Sequence, residues 1–388
     1  MVANDLKLNI IVTHRLFAGS GQELYKYFKN KNISSLLVEH SFMSYPDRKT
    51  TFCCFNGREE LLKNSLDYRF FPDLLCYIKD FFYSLTVVLR YPYKFYVYIG
   101  CGGFNVLPGL VFKLFGRVKK VIFYTIDFSP KRFDNLLLNK LYFLIDKICV
   151  NHADYTWNLS NRMAKGRKKY NNMPLKVFSK QRVVPIGVWL NNLPASRRDI
   201  KSEKKLVFCG DLIESQGLEL VLESIPAIVK RVKDFKFIII GDGNYRDALI
   251  RLVKSFKLEK YVEFKGAIYK HEDLLETIAT ARAGIAPYKD LDGENSNVYF
   301  ADVTKPKTYL SCGLPIIITK LPDISQVVRE RKMGITINYD KNELVDAVVN
   351  IMNDDNLYLV CKRNAEEFIQ TLDWNNVFNK ALEELENV

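Results

Sequence analysis

The sequence predicts an α/β protein of two doubly wound, Rossmann-like domains facing a cleft. Three observations predict it. Short apolar, β-branched runs alternate with helical segments twice along the chain. Many of those runs end in glycine, which lets a strand turn tightly into a helix. At 388 residues, the chain is also too long for one core.

The first half opens with a strand over 8–13. Gly19, Ser20 and Gly21 follow, then a helix to about residue 31. Strand, glycine loop and helix make a turn suited to a phosphate, although a plain tight βα turn has the same pattern. Residues 36–38 form the next strand, and 40–70 show no clear period. Residues 72–89 are aromatic and apolar around Lys79 and Asp80. That predicts a buried or interfacial helix, not a spanning one. A strand over 95–99 ends in a glycine-rich turn, and a helix covers 106–115. The strand over 121–125 brings Tyr124 and Asp127 to its C-terminal end. Ligands of open α/β sheets bind at such ends, so both are candidate catalytic residues; a cap or turn role for Asp127 stays open. After a helix near 135–150 comes a basic run from Arg162 to Arg182, including Arg167, with Tyr170, Met173 and Phe178 interleaved. A solvated face explains the charges, and the apolar members also fit a membrane surface. Residues 191–205 are polar and aperiodic, and read as a linker.

The second half repeats the alternation. Strands over 206–209, 237–240 and 262–264 run into Gly210, into Gly241-Asp242-Gly243 and into Gly266. Helices start near 218, 245 and 272, and a short strand covers 284–287. Beyond a polar loop, Thr304 suits an N-cap, Pro306 the first helical turn, and Gly313 and Pro315 a helix stop before a strand over 316–318. The helix start gathers free amides, a hydroxyl and Lys305, which is an anion site with a phosphate as its guest. Lys307 lies about 200° further round the helix and should point away. Three more helices close the chain, near 341–350, 357–372 and 374–385.

Charge is uneven. Residues 1–190 hold 29 Lys and Arg against 13 Asp and Glu, net +16, whereas 191–388 hold 28 against 31, net −3. The basic half should meet something anionic. No recognised nucleic-acid motif is present, so a membrane or a phosphorylated acceptor is expected. The eight cysteines have no Cys-x-x-Cys spacing, and the four histidines are too dispersed for a metal cluster. No basic segment followed by an apolar run opens the chain, so no signal peptide is expected.

Over nearly its whole length, and most strongly from Leu206 to Thr319, the chain resembles a GT-B glycosyltransferase, most closely the retaining family four. The markers are Phe208-Cys209-Gly210, Gly217, Ile240-Gly241-Asp242-Gly243, Val262-Glu263-Phe264-Lys265-Gly266 and Gly313-Leu314-Pro315-Ile316-Ile317-Ile318. The resemblance implies an acceptor domain over 1–188, a nucleotide-sugar domain over 189–370, and a helix over 371–388 returning to the first. It implies transfer of a sugar, with retention, to a glycan or polyprenyl-phosphate-linked acceptor in surface polysaccharide or glycolipid synthesis. No cofactor and usually no metal is implied, because the nucleotide-sugar is a substrate. The expected place is the cytoplasm, at the inner face of the cell membrane.

Carried onto this sequence, donor phosphates meet Gly19, Ser20, Gly21, Thr304 and Lys305. The nucleotide meets Gly210, Gly241, Gly243, Gly266 and Thr308, and Asp127 or Tyr124 orients the acceptor hydroxyl. The family's phosphate-clamping Arg and Lys are replaced by Asp211 and Gln216, and its paired glutamates by Phe300 and Thr308. An inactive relative that only binds is therefore the alternative. Asp290-Leu291-Asp292 satisfies the Asp-x-Asp motif of metal-dependent GT-A enzymes but lies too late in the chain for that fold.

Overall fold

The structure, a computed structural model, describes residues 8–15, 19–41, 49–62, 73–193, 203–291, 293 and 296–386. The approach to the first glycine loop, most of the expected linker, and Asp292 lie outside the described residues. The chain forms two compact α/β units: residues 1–185 with 378–388, and residues 186–377.

Unit 1 runs β1 (Leu8–His14), α1 (Ser20–Asn30), β2 (Ser35–His40), β3 (Thr51–Phe55), β4 (Glu59–Leu62), α2 (Asp73–Leu89), β5 (Phe95–Cys101), α3 (Gly103–Leu114), β6 (Val118–Thr125), α4 (Leu136–His152), β7 (Tyr155–Asn158), α5 (Asn161–Tyr170) and β8 (Gln181–Val183). The sheet order is β4-β3-β2-β1-β5-β6-β7-β8. Strand order reverses between β1 and β5, the switch point outside which open sheets bind ligands. The span without a clear period contains the antiparallel pair β3–β4, turned at Gly57 (φ 79°). β7 escapes a sequence reading because Tyr155-Thr156-Trp157-Asn158 is short and half polar. It is buried nonetheless, and Asn158 Oδ1 accepts from Arg167 Nη1.

Unit 2 runs β9 (Lys205–Cys209), α6 (Leu218–Ile228), β10 (Lys236–Ile240), α7 (Arg246–Ser255), β11 (Val262–Gly266), α8 (His271–Ala279), β12 (Ala283–Ala286), α9 (Asn297–Phe300), α10 (Thr304–Ser311), β13 (Ile316–Thr319), α11 (Ile324–Glu330), β14 (Gly334–Ile337), α12 (Lys341–Asn353), α13 (Asp355–Thr371) and α14 (Trp374–Glu386), whose last two turns cluster with unit 1. Its six parallel strands are ordered β11-β10-β9-β12-β13-β14, reversing between β9 and β12. Ile316, Ile317 and Ile318 are fully buried, as a strand covered on both faces requires. α14 carries Phe378 onto Tyr27 of unit 1, ring centres 5.4 Å apart, and Lys120 donates to Leu385 O.

Candidate active site

In unit 2, three adjacent strands end together in glycine. Gly210 N donates to Ile240 O (2.9 Å), Gly241 N to Gly266 O (2.8 Å), and Leu212 N to Asp242 O (2.9 Å). Gly210 (φ 141°) and Gly241 (φ 137°) hold conformations that side chains rarely adopt. A Cβ on Gly241 would stand 1.9 Å from Gly210 O, and one on Gly210 would stand 2.1 Å from Lys305 Cε. Gly243 closes the same turn against Leu212. Gly210, Gly241, Gly243 and Gly266, expected at the nucleotide, are thus gathered at one sheet edge.

Lys305 reaches that edge from α10. The N-cap of α10 is Val303, and Thr304, expected there, is its first helical residue. The reason is local: Val303 already has the extended backbone of a cap (ψ 134°), and no side chain caps the helix. The amides of Thr304 and Lys305 consequently have no intrahelical carbonyl. Thr308 donates its hydroxyl to Thr304 O (3.2 Å), leaving its oxygen able to accept. Lys305 Nζ lies 5.8 Å from the centre of the Phe208 ring and 5.7 Å from that of Tyr288. It forms no ion pair among the described residues. Burial pulls its pKa below the usual lysine range, with Cys209 and Asp211 pulling the other way. Lys307 points elsewhere, to Asp302 (2.5 Å) and Ile186 O (2.6 Å).

Three buried polar atoms nearby lack a partner among the described residues: Gln216 Oε1, Glu219 Oε2 and the Tyr288 hydroxyl. Orphaned polar atoms are rare inside folded proteins and usually await a ligand or water. Lys289 spans Glu214 (2.7 Å) and Glu219 (3.1 Å) beside them. A cavity of about 400 Å³ opens at the ends of β12, β13 and β14, lined by Tyr288, Asp290, Tyr299, Lys320 and Tyr339 among others. It shares Tyr288 with the surroundings of Lys305.

In unit 1, Gly19 is the N-cap of α1, while Ser20 and Gly21 are buried. A Cβ on Gly21 would stand 2.8 Å from Thr13 Cβ, so close helix–strand packing already accounts for that glycine. Tyr124 is buried; its hydroxyl donates to Val184 O (3.1 Å) and its ring meets Trp157 edge-on. Only Asp127 of that pair reaches solvent, where Arg132 pairs with it. Sequence reasoning passed over His14, at the β1 end of the switch point. Asn105 Nδ2 donates to Cys101 O (2.7 Å) and stands 3.3 Å from His14 Nδ1, whose ring is edge-on to Tyr77. Burial, then the His40 charge, lower the His14 pKa to about 4, while Asp80 and Asp127 oppose them. Its position at a strand end was the signal available. Within the basic run, Arg167 is not a surface charge: it is fully buried, bonded to both oxygens of Asp146 (2.9 and 3.0 Å) and to Thr125 Oγ1 (2.9 Å).

Residues 203–354, which contain this glycine edge and Lys305, match the family of glycosyl transferases group 1. The whole chain superposes on solved structures: sucrose-phosphate synthase from Thermosynechococcus elongatus (TM-score 0.72, 14% identity, 98% of each chain) and WaaG, a glycosyltransferase involved in lipopolysaccharide biosynthesis (TM-score 0.65, 12% identity, 96% and 98%). The fold is GT-B. Among curated proteins, the chain is 21% identical over 204 residues to poly(ribitol-phosphate) alpha-N-acetylglucosaminyltransferase of Staphylococcus aureus, covering 50% of this chain and 38% of that one. It is 23% identical over 267 residues to chitobiosyldiphosphodolichol beta-mannosyltransferase of Candida albicans, covering 63% and 56%. The chain thus spans about half the length, or less, of these curated relatives. The glycine edge and Lys305 lie in unit 2, the unit that carries the family match.

Proposed function

We propose that the protein is a glycosyltransferase that moves a sugar, with retention, from a nucleotide-sugar to a glycan or lipid-linked acceptor at an anionic membrane. The observation that carries the donor half is Lys305: a half-buried ammonium with no ion pair among the described residues, beside the open glycine edge and the free amides of α10. Breaking the sugar–phosphate bond puts negative charge on the departing diphosphate. Fixed amides and a preplaced cation stabilise that charge without reorganising. Gln216, Glu219 and Tyr288 would then find partners in the donor's hydroxyls, and Thr308 in a ribose hydroxyl. Asp127 orients the acceptor. Departing phosphate oxygen can take the acceptor's proton in such a reaction, so no strong protein base is needed. The polymeric and lipid-linked acceptors in the names of two relatives, poly(ribitol-phosphate) and chitobiosyldiphosphodolichol, support this acceptor class.

Asp211 and Gln216, standing where the family clamps the diphosphate, favour a second reading in which the protein binds the donor without transferring it. Calorimetric titration with UDP-, GDP-, ADP- and CMP-sugars, with turnover followed in parallel, tests both. One donor should bind, and binding should weaken in Lys305→Met. If none of the four binds, the donor site is wrong; binding without turnover selects the second reading.

A further inference from the structure

The outer face of unit 1 carries an apolar surface that the reaction does not use. On α4, Leu137, Leu141, Leu144 and Ile148 recur in steps of four, three and four, and are 75, 40, 54 and 37% exposed. The opposite face, with Ile145, Cys149 and Val150, is the one packed into the core. α2 repeats the arrangement with Leu75, Ile78, Phe82 and Leu89. α3 touches both helices and ends in exposed Leu114 and Phe115, so α2, α3 and α4 form one layer. Apolar residues scattered singly need no explanation on a protein surface, but a continuous run of them marks a partner.

Charge says which partner. The exposed ionisable residues on α4 include Lys140 and Lys147, whereas its only carboxylate, Asp146, is buried against Arg167. A two-fold contact between copies of the chain through this face would bring together two faces that both carry these lysines. A layer of anionic headgroups over acyl chains accepts both components, leucines below and lysines at the phosphates. α4 has 17 residues, and among the described residues no helix is long and apolar enough to cross a membrane. We propose that unit 1 lies on an anionic bilayer through this layer, with α4 in the plane of the interface and Leu137, Leu141, Leu144 and Ile148 entering the acyl boundary. This deepens the membrane part of the proposed function and rests on it only for its biological purpose.

The full chain is sedimented with phosphatidylcholine vesicles, with and without phosphatidylglycerol, and no donor present. The wild type should bind the phosphatidylglycerol vesicles. Leu137→Ser/Leu144→Ser should bind them at least about tenfold more weakly, the equivalent of 1.4 kcal/mol, and Lys140→Glu/Lys147→Glu should also lose binding. Each variant should keep the wild-type melting temperature and donor affinity, because all four side chains are exposed. Wild type that ignores the vesicles, or a leucine variant that binds as well as wild type, overturns the proposal. So does a dimer, seen by light scattering, that the leucine variant dissociates. Loss of donor binding in every protein would instead overturn the donor site and leave the vesicle result standing.

Discussion

At Lys305 a cation is partly withdrawn from water with no carboxylate paired to it among the described residues. Such a group costs stability until an anion arrives. Lys305→Met should therefore leave the melting temperature unchanged or raise it, while donor affinity falls about 10- to 150-fold, equivalent to about 1.5–3 kcal/mol. Calorimetry and thermal unfolding of one preparation read both quantities. Lys254→Ala, on the exposed face of α7, is the control. Lys307→Ala is unsuitable, since it would strand buried Asp302. His14 makes the second prediction at this scale. Its pKa is near 4 in the fold and near 6.5 unfolded, so between those values only the unfolded chain takes the proton. Stability should fall as pH drops through that window, by no more than about 3 kcal/mol, and be level above it. His40, Asp80, Asp127 and Arg132 surround the ring electrostatically. Urea unfolding across the window should lose part of its slope in His14→Gln; an unchanged slope assigns the effect to other groups.

At the scale of elements, one buried ion pair joins α5 to α4. Arg167 bonds to Asp146 and also reaches Thr125 at the end of β6 and Asn158 on β7. Removing one partner strands the other charge in the core, so Arg167→Ala should cost about 3–5 kcal/mol in urea unfolding. Replacing both, as Arg167→Met with Asp146→Leu, should recover much of that loss, because a well-packed apolar pair has no charge to desolvate. A single-variant loss below about 1 kcal/mol would mean that water reaches the pair.

At the scale of the whole molecule, two units imply two cores and two separable unfolding events. A donor bound at the β9–β11 edge stabilises only the unit that holds it. At a hundredfold excess over its dissociation constant the gain is about 2.7 kcal/mol. Scanning calorimetry should show one transition moving with donor concentration and the other staying in place. Deleting 378–388 should lower the other transition, since Phe378 is fully buried and its ring packs on Tyr27. Both transitions moving together with donor would show that the units unfold as one.

The sequence by itself determined the α/β class, most of the element order, the glycine strand ends and the candidacy of Lys305. Each rests on local signals: a period, a stop residue, a proline in a first turn. The tertiary structure alone decided which candidates are accessible. Tyr124 and Asp127 are three residues apart, yet one hydroxyl is spent on Val184 O and the other side chain faces solvent. Arg167 reads as one charge in a basic run, but its partners on α4, β6 and β7 turn it inward. β7 and β14 are four-residue strands too short for a period, made legible only by their neighbours in the sheet. α4 is apolar on nearly every side, so its sequence cannot say which face the core takes. Packing against α3 settles that, and leaves six large apolar side chains outside, Leu136 and Leu138 among them. Burial is fixed by residues distant in sequence, whereas the signals that shape a helix or a turn are spent within a few residues.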